Sequence, residues 1–469
     1  MNGGVERELK LEAPDTFSLA RLEPRQRSFV ASPVSWKRLH TVYWDTPDLR
    51  LTRWGCSLRF RRGEGWTLKL PAPPHAGALY RQEHVFPGDG TSVPREALAL
   101  ATAYLRGDAP RPVAELRTLR TSRQMSAGGG AELAEVVEDD VRVVEGTHVV
   151  RRFRQVEIEL TEHAPDDALD ELAGTLRAAG AGPPDLTPKN VAALGEAARD
   201  PELPVPGLHA DSPARDLVRA ALAASVARFV PCDAVMRLSN DSEGVHQARV
   251  AVRRLRSDLR SFLPLLDNAW TCGLRERLRP LGDVLGAARD ADVLLERLRR
   301  AAESLPDADR RTVDDVIAPF VAERRRAYER VRAMLDGEAY VAILREMVAA
   351  AKDPRFSALA DRDACDVVDT IVDEAWRTLR KAVRKRGKPA SDRDLHRVRI
   401  KAKRVRYLAE AIERLAGKPL RRLAGDVESL QTVLGDQHDA ALARDRLRHD
   451  AASGAHAFVA GELAALEHG

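Results

Sequence analysis

The chain has 469 residues, of which 44% are hydrophobic and 31% are charged, and its formal net charge is +4. This length exceeds what one hydrophobic core usually supports, so we expect two or three domains with real cores. No apolar run approaches the roughly 20 residues that a helix needs to cross a bilayer, which excludes a membrane-spanning helix.

The cysteines are few and widely separated along the chain. Cys56, Cys232, Cys272 and Cys365 show no paired spacing, so neither a zinc site nor a disulfide framework is predicted. The first ten residues carry charges and no apolar signal region. These features predict a cytoplasmic protein with reduced cysteines.

The first predicted strand, residues 5–11, has an unusual charged face. Side chains alternate between the two faces of a strand, so Glu6, Glu8 and Lys10 share one face. Two carboxylates and an ammonium are costly to bury unless a cation or a polyanion neutralises them. The pattern suggests a metal held against a phosphate-rich substrate, although a solvated edge strand would show the same pattern.

Alternation continues to about residue 195 and predicts antiparallel strands with one apolar face. It is clear in residues 58–61, 66–70 and 151–160, and the glycines at 63–65 and 128–130 predict hairpin loops. Apolar faces that look outward to helices and charged faces that look inward imply a closed barrel with a polar bore. The inward acids are Glu6, Glu8, Glu157, Glu159 and Asp139, and the inward cations are Lys10, Arg59, Arg61 and Lys69. Ion pairs among these charges are the alternative to ligand binding.

A proline-rich stretch at residues 200–207 predicts a semi-rigid linker between two domains. We therefore predict a first domain at residues 1–198, a linker at 199–212 and a helical domain at 213–469. Beyond the linker the hydrophobic period is helical, in segments rich in Ala, Leu and Arg.

The helical half contains an internal duplication. Residues 245–256 match residues 395–406, and residues 284–291 match residues 433–440, at separations of 150 and 149 residues. Two repeats, roughly 213–350 and 360–469, are therefore expected to form similar bundles about a pseudo-twofold axis.

Each repeat carries a row of cations on one helix. His246, Arg249 and Arg253 fall on one stripe beside an apolar stripe, and the second copy repeats the spacing. Two such rows lining a shared cleft would favour a polyanion through counterion release. The alternatives are a solvated basic face and buried, hydrogen-bonding histidines. Leu285-Gly286 predicts a helix break, and Asp290 a helix cap or a partner of the basic row.

Local charge also indicates a polyanion. From Arg377 to Arg406 there are fourteen Lys or Arg residues and only two acids. Nucleic acid is not expected, because aromatic residues are only 5% and do not interleave with the basic rows. Inorganic polyphosphate, which is all phosphate and no base, fits better.

These motifs resemble two known families joined in one chain. The first half resembles the CYTH domain of the triphosphate tunnel metalloenzymes at Glu6-x-Glu8-x-Lys10, residues 43–46, 58–61, 66–69, 156–159 and Pro188-Lys189. The duplicated helices resemble the CHAD domain, a conserved-histidine helical module associated with polyphosphate. The resemblance implies an N-terminal antiparallel β-barrel tunnel with flanking helices (α+β), and a C-terminal all-α pair of bundles.

The resemblance also implies roles for particular residues. The implied metal ligands, for Mg²⁺ or Mn²⁺, are Glu6, Glu8, Asp139, Glu157 and Glu159. The implied substrate-binding residues are Lys10, Arg59, Arg61, Lys69, Arg117, Arg120 and Lys189, although only one of Arg117 and Arg120 is expected to face the bore. The implied polyphosphate-binding residues are His246, Arg249, Arg253, Arg256, Arg289, His396, Arg399, Lys403, Arg406 and His438. Val85 departs from the pattern, since an acid would fit there.

The predicted function is metal-dependent hydrolysis of inorganic triphosphate, with polyphosphate bound by the helical domain. Glu6 and Glu8 would act in catalysis through the metal, and Lys10 would help to orient the attacking water. The protein is expected in the cytoplasm, in association with polyphosphate granules and without a membrane partner. The alternatives are a non-catalytic polyphosphate-binding protein and a tunnel acting on an organic triphosphate. The sequence does not determine an oligomeric state.

Overall fold

The structure is a computed structural model that divides into two compact units, residues 1–202 and 203–469. It describes residues 4–23, 25–26, 29–71, 79–128, 130–165, 167–209, 211–239, 241–306, 313–387, 390–416, 418–451, 459, 461, 463 and 465. The division falls inside the segment expected to be a linker. Each unit is described by itself.

The first unit is built from antiparallel strands that alternate in burial. In the described part of the chain they are β1 (Gly4–Glu12), β2 (Arg25–Gln26), β3 (Phe29–Ala31), β4 (Ser35–Asp45), β5 (Ser57–Arg61), β6 (Gly65–Pro71), β7 (Leu79–Phe86), β8 (Arg111–Ala127), β9 (Glu132–Glu145) and β10 (His148–Leu160). Strand β4 pairs with β5, β5 with β6, β6 with β7, and β7 with β1. Strand β1 also pairs with β10, β10 with β9, β9 with β8, and β8 with β4. Eight strands thus curl into a ring, which confirms the predicted antiparallel barrel.

Short helices flank this barrel. They are α1 (Arg50–Arg53), α2 (Arg95–Leu100), α3 (Thr102–Leu105), α4 (Ala168–Ala178) and α5 (Lys189–Leu194). On the outer face Leu172 and Leu176 of α4 are fully buried in one cluster with Leu11 and Ile158. Burial of large apolar side chains, worth about 1.5–3 kcal/mol each, fixes these strands with their charged faces turned inward.

One end of the bore is apolar. Tyr43, Leu116, Val141 and Val143 form a buried cluster there, and Ala193 of α5 packs against it. Helix α5 begins directly after Pro188, a residue suited to a helix start. The helix therefore places its first residue, Lys189, beside the polar part of the bore.

The start of the predicted linker is bound to the first unit. Glu202 is only 3% exposed, and its carboxylate accepts hydrogen bonds from Arg106 at 2.5 Å and from Trp54 Nε1 at 2.6 Å. A paired, buried carboxylate holds residues up to 202 against the barrel, and the bounds of the linker stay a prediction.

The second unit is built from helices in its described residues, with loops and two isolated β-bridges between them. Its helices are α6 (Ala214–Phe229), α7 (Cys232–Leu238), α8 (Ser242–Ser261), α9 (Asn268–Arg277), α10 (Arg279–Ala302), α11 (Val313–Leu335), α12 (Glu338–Lys352), α13 (Ala364–Arg384), α14 (Asp392–Ala416) and α15 (Lys418–Ala451). Helix α10 continues through Gly286, so the predicted break at Leu285-Gly286 is wrong. The pseudo-twofold relation between the repeats stays a prediction. None of the described helices combines the length and apolarity that a bilayer-spanning segment requires.

Candidate functional site

Strand register brings acids and bases together on the inner face of the barrel. Lys10 of β1 lies opposite Glu157 of β10, and Arg120 of β8 lies opposite Asp139 of β9. Lys10 Nζ is 2.8 Å from Glu157 Oε1, while Arg120 donates to both carboxylate oxygens of Asp139 at 2.9 and 2.8 Å. The bore is therefore polar at its centre, as the charge pattern predicts.

Lys189 joins these two pairs into one network. Its Nζ lies 2.6 Å from Asp139 and 2.5 Å from Glu157, and the Asp139 side chain is fully buried. Burial alone would raise both carboxyl pKa values, but the neighbouring cations outweigh it. The pKa of Asp139 is lowered, chiefly by Lys189 and Arg120, and the pKa of Glu157 is lowered well below its usual range. Both carboxylates are thus ionised and compensated.

A second part of the bore has an excess of positive charge. Arg59 lies opposite Tyr43 across β4 and β5, and its buried Nε has no hydrogen-bond partner among the described residues. Arg61 donates to Thr41 at 3.1 Å and to Glu64 at 2.8 Å, while burial and the neighbouring Arg59 lower its pKa. An unsatisfied guanidinium donor beside a second cation is unfavourable unless an anion fills the space.

Tyr43 belongs to this cationic region, although its pattern in the sequence did not single it out. Burial would raise its hydroxyl pKa, but Arg59, Lys189, Arg61 and Lys10 together lower it. Alternation on β4 puts Tyr43 on the same face as Thr41, but its place beside Arg59 depends on the pairing of β4 with β5, which the sequence does not show.

A third part of the bore has an excess of negative charge. Glu8 is 6% exposed, and its Oε1 lies 3.5 Å from Lys10 Nζ without a hydrogen bond among the described residues. Glu159 is an exposed residue, but the protein around its carboxyl group displaces part of the water and so raises its pKa. Glu8 and Glu83 raise this pKa further, while Lys69 lowers it. Glu83 forms an ion pair with Lys69 at 2.8 Å.

These carboxylates are suitable ligands for a divalent metal. Mg²⁺ and Mn²⁺ prefer oxygen donors, and a cation would relieve both the unsatisfied Glu8 oxygen and the repulsion around Glu159. Within the residues that the structure describes, no cluster of three metal ligands is preformed. The side chain of Glu6, the remaining predicted ligand on β1, lies outside the described residues.

Arg117 is placed differently from the other predicted substrate-binding residues. Arg120 faces the bore, but Arg117 is exposed on the outer face of β8, where it lies opposite His40. Residues three apart on a strand point to opposite faces, so Arg117 does not line the bore. Lys10, Arg59, Arg61, Lys69 and Lys189 do line it, and their roles in substrate binding stay predictions.

In the helical unit, the first basic row lines a cavity of about 470 Å³ between α8 and α10. Arg249, Arg253 and Arg256 line it together with Asp290, which pairs with Arg249 at 3.0 Å. The pKa of Arg249 is lowered by burial, and neighbouring cations that include Arg399 of the second repeat add to the effect. The two rows therefore approach each other at this point.

Glycines make room for the arginines in both repeats. A Cβ on Gly286 would lie 3.8 Å from Arg249, and one on Gly435 would lie 3.4 Å from Arg399. Gly286 and Gly435 are equivalent positions of the duplication. Both distances are ordinary van der Waals contacts, so each Leu-Gly motif lies directly beside the basic row of its repeat.

The remaining predicted residues differ in how far they are paired. Arg253 donates to the Tyr407 hydroxyl at 2.8 Å, whereas Arg406 is neutralised by Glu410 at 2.8 Å and Glu428 at 3.0 Å. His246 is half-buried, and burial together with Arg289 lowers its pKa. His396 is exposed and Lys403 is half-buried. The His438 side chain lies outside the described residues.

The family follows from two matches that cover most of the chain. The CYTH domain model matches residues 4–181, and the CHAD domain model matches residues 220–448. The protein belongs to the family in which a CYTH domain and a CHAD domain are joined in one chain. Such tunnel domains are generally dependent on divalent metals.

Known relatives agree with this assignment. The uncharacterized protein Rv2226 of Mycobacterium tuberculosis is 33% identical over 444 residues, which cover 88% of this chain and 82% of the relative. The CHAD domain from the plant Ricinus communis is 26% identical, with 57% of this chain and 90% of that one covered and a TM-score of 0.45. HpAC1 from Hippeastrum, described as having a dominant triphosphatase activity, is 15% identical, with 40% and 94% covered and a TM-score of 0.25. At these TM-scores the two structural likenesses carry no argument about function.

Proposed function

We propose that the barrel hydrolyses inorganic triphosphate with a divalent metal, and that the helical unit binds inorganic polyphosphate. The observation that carries the first part is the separation of charge in the bore. Glu8 keeps an unsatisfied buried oxygen and Arg59 an unsatisfied buried nitrogen among the described residues. A metal and a phosphate chain are the pair of ligands that would satisfy both at once.

The chain's own residues would bind and orient the substrate. Arg59 and Arg61 would donate to phosphate oxygens, where an effective dielectric well below that of water strengthens each contact. Glu8 and Glu159 would hold the metal, which when bound neutralises charge on the transferred phosphoryl group. Lys10, which pairs with Glu157 at 2.8 Å, would orient the attacking water.

The barrel proposal is tested by phosphate release from inorganic triphosphate with Mg²⁺ or Mn²⁺. Glu8→Gln keeps the side chain's shape but removes a metal-ligating charge, so we expect turnover to fall by at least about 100-fold. Titration of Mn²⁺ by calorimetry should show weaker binding in the same variant. Glu96→Gln, at an exposed position on α2, is the matched control and should leave both unchanged.

Two results would separate this proposal from its alternatives. Tight binding of triphosphate without release of phosphate under any divalent metal would favour a non-catalytic protein. Faster turnover of ATP or thiamine triphosphate than of inorganic triphosphate would indicate an organic substrate. Unchanged turnover in Glu8→Gln would refute the metal role given to this residue.

For the helical unit, the supporting observation is the approach of like-charged rows around Arg249 and Arg399. Crowded guanidinium groups favour a polyanion because binding releases counterions. Replacing Arg253 and Lys403 by glutamine should weaken polyphosphate binding and lower its salt dependence by about one unit of slope per contact. Triphosphate hydrolysis should not change. Arg279→Gln, at an exposed position, is the control, and equal salt slopes in all three variants would contradict the cleft.

A further inference from the structure

The outer face of the barrel carries basic residues at one level across four strands. His40 of β4 lies opposite Arg117 of β8, Arg117 opposite Arg142 of β9, and Arg142 opposite Arg152 of β10. Neighbouring strands are about 4.8 Å apart, and like charges directly opposite each other destabilise an antiparallel sheet. Two consecutive Arg–Arg pairs therefore work against the stability of the fold.

Carboxylates pair with His40, Arg117 and Arg152 in this row, and Arg142 is the exception. Glu115 lies 2.8 Å from His40 and 3.7 Å from Arg117, while Asp140 accepts two hydrogen bonds from Arg152, both at 2.9 Å. In the described part of the chain no carboxylate pairs with Arg142, although it stands at the centre.

Two further arginines converge on the same place. Arg38 and Arg62 are exposed, have no carboxylate partner among the residues that the structure describes, and line one groove with Arg142. The groove has a volume of about 560 Å³, within the usual range for small-ligand sites. Leu119, 45% exposed, contributes an apolar surface to it. Asp140 also lines the groove, and its carboxylate is held by Arg152.

The chemistry of these groups selects phosphate as the ligand. A guanidinium presents a fork of N–H donors that matches phosphate oxygens. A carboxylate brings one negative charge, whereas a phosphate brings close to two and three acceptor oxygens, so a single phosphate can contact several guanidiniums. We propose that the groove of Arg38, Arg62 and Arg142 binds the phosphate chain of an inorganic or a nucleoside triphosphate. This site would be separate from the bore and does not rest on the hydrolysis proposed there.

Arginine footprinting on the full chain tests the site directly. A dicarbonyl reagent modifies accessible guanidiniums, and mass spectrometry reads each arginine separately, so binding in the bore or the helical unit does not confuse the result. Inorganic triphosphate and ATP should both protect Arg38, Arg62 and Arg142. Equal protection by the two ligands would mean that the phosphate chain alone is recognised. Stronger protection by ATP would mean that the nucleoside also contacts Leu119. A glutamate peptide as effective as triphosphate would overturn the proposal in favour of an acidic protein partner.

The variant Arg142→Gln separates binding from folding. Removal of the central charge relieves two like-charge pairs, so the unfolding midpoint without ligand should stay the same or rise. Protection of Arg38 and Arg62 should nevertheless need several-fold more triphosphate, with hydrolysis unchanged. Arg95→Gln, exposed on α2, should alter none of these measurements. Undiminished protection in Arg142→Gln, or no protection in the parent protein, would overturn the proposal.

Discussion

Replacing Lys189 by methionine would test the buried charge network of the bore. Lys189 is 8% exposed and lies between Asp139 and Glu157, at 2.6 and 2.5 Å. Removing one partner of a buried ion pair typically destabilises by 3–5 kcal/mol, because it leaves a buried charge uncompensated. Arg120 and Lys10 remain in place, so we expect the lower end, about 3 kcal/mol. For a domain of this size that corresponds to a fall in Tm of about 6–12 °C.

The pH dependence of this loss has a definite sign. Both carboxyl pKa values are lowered in the folded protein, so the network's stabilisation is present above the unfolded value of about 4. It is lost as pH falls through the lowered, folded values. Without Lys189 the pKa values move back towards normal, so the variant should lose this stabilisation at a higher pH than the parent protein.

Hydrogen exchange of the β1 and β10 amides is the suitable assay, because it reports opening of the barrel alone. Lys37→Met is the matched control. Lys37 has a side chain that is 61% exposed and pairs with Glu64 at 2.5 Å, so its loss should cost no more than about 1 kcal/mol. Equal effects of the two substitutions, or an effect of Lys189→Met below about 1 kcal/mol, would refute the reasoning.

Two further predictions concern the helical unit. Burial raises the pKa of Asp258 to about 7, so ionisation destabilises the folded protein as pH rises between the unfolded value near 4 and 7. Asp258→Asn, which can keep the contact with Ser225, should be more stable at pH 8 by up to about 4 kcal/mol and level with the parent at pH 4, measured by urea unfolding. Gly286→Ala should raise stability by about 1 kcal/mol, since its Cβ meets Arg249 only at 3.8 Å. Gly286→Leu should displace Arg249 and weaken polyphosphate binding in a filter assay, and unchanged affinity would contradict the role given to this glycine.

Side-chain parity made the barrel predictable from the sequence. One polar and one apolar face per strand specify which residues point inward, and this places Lys10, Arg59 and Lys69 correctly inside. The same rule separates Arg117 from Arg120, but it does not say which of the two is inward, since that depends on register across β8 and β9. Register is set by pairing and by turns far apart in the chain, which alternation within one strand does not reveal.

Tertiary packing explains two features that local composition alone does not show, the helix through Gly286 and the position of Glu202. Glycine has low helix propensity, so Gly286 indicated a helix end, yet the buried apolar stripe on both sides of it keeps the helix continuous. Proline-rich composition indicated a linker from residue 199, and a buried ion pair with Arg106 holds Glu202 to the barrel. Both features come from tertiary contacts that local composition does not contain.

The charge pattern left ion pairing and ligand binding open, and ion pairing is present in one part of the bore. Asp139 and Glu157 are neutralised by Lys189, Lys10 and Arg120, so they hold the cations in position and have little charge left for a metal. Glu8 and Arg59 each keep one buried polar atom without a hydrogen-bond partner among the described residues, and the pKa of Glu159 is raised. A metal alone would leave the cationic side of the bore uncompensated. A phosphate chain alone would leave the carboxylates uncompensated. Each ligand therefore removes part of the electrostatic cost of binding the other, and the two should bind together more tightly than either does alone.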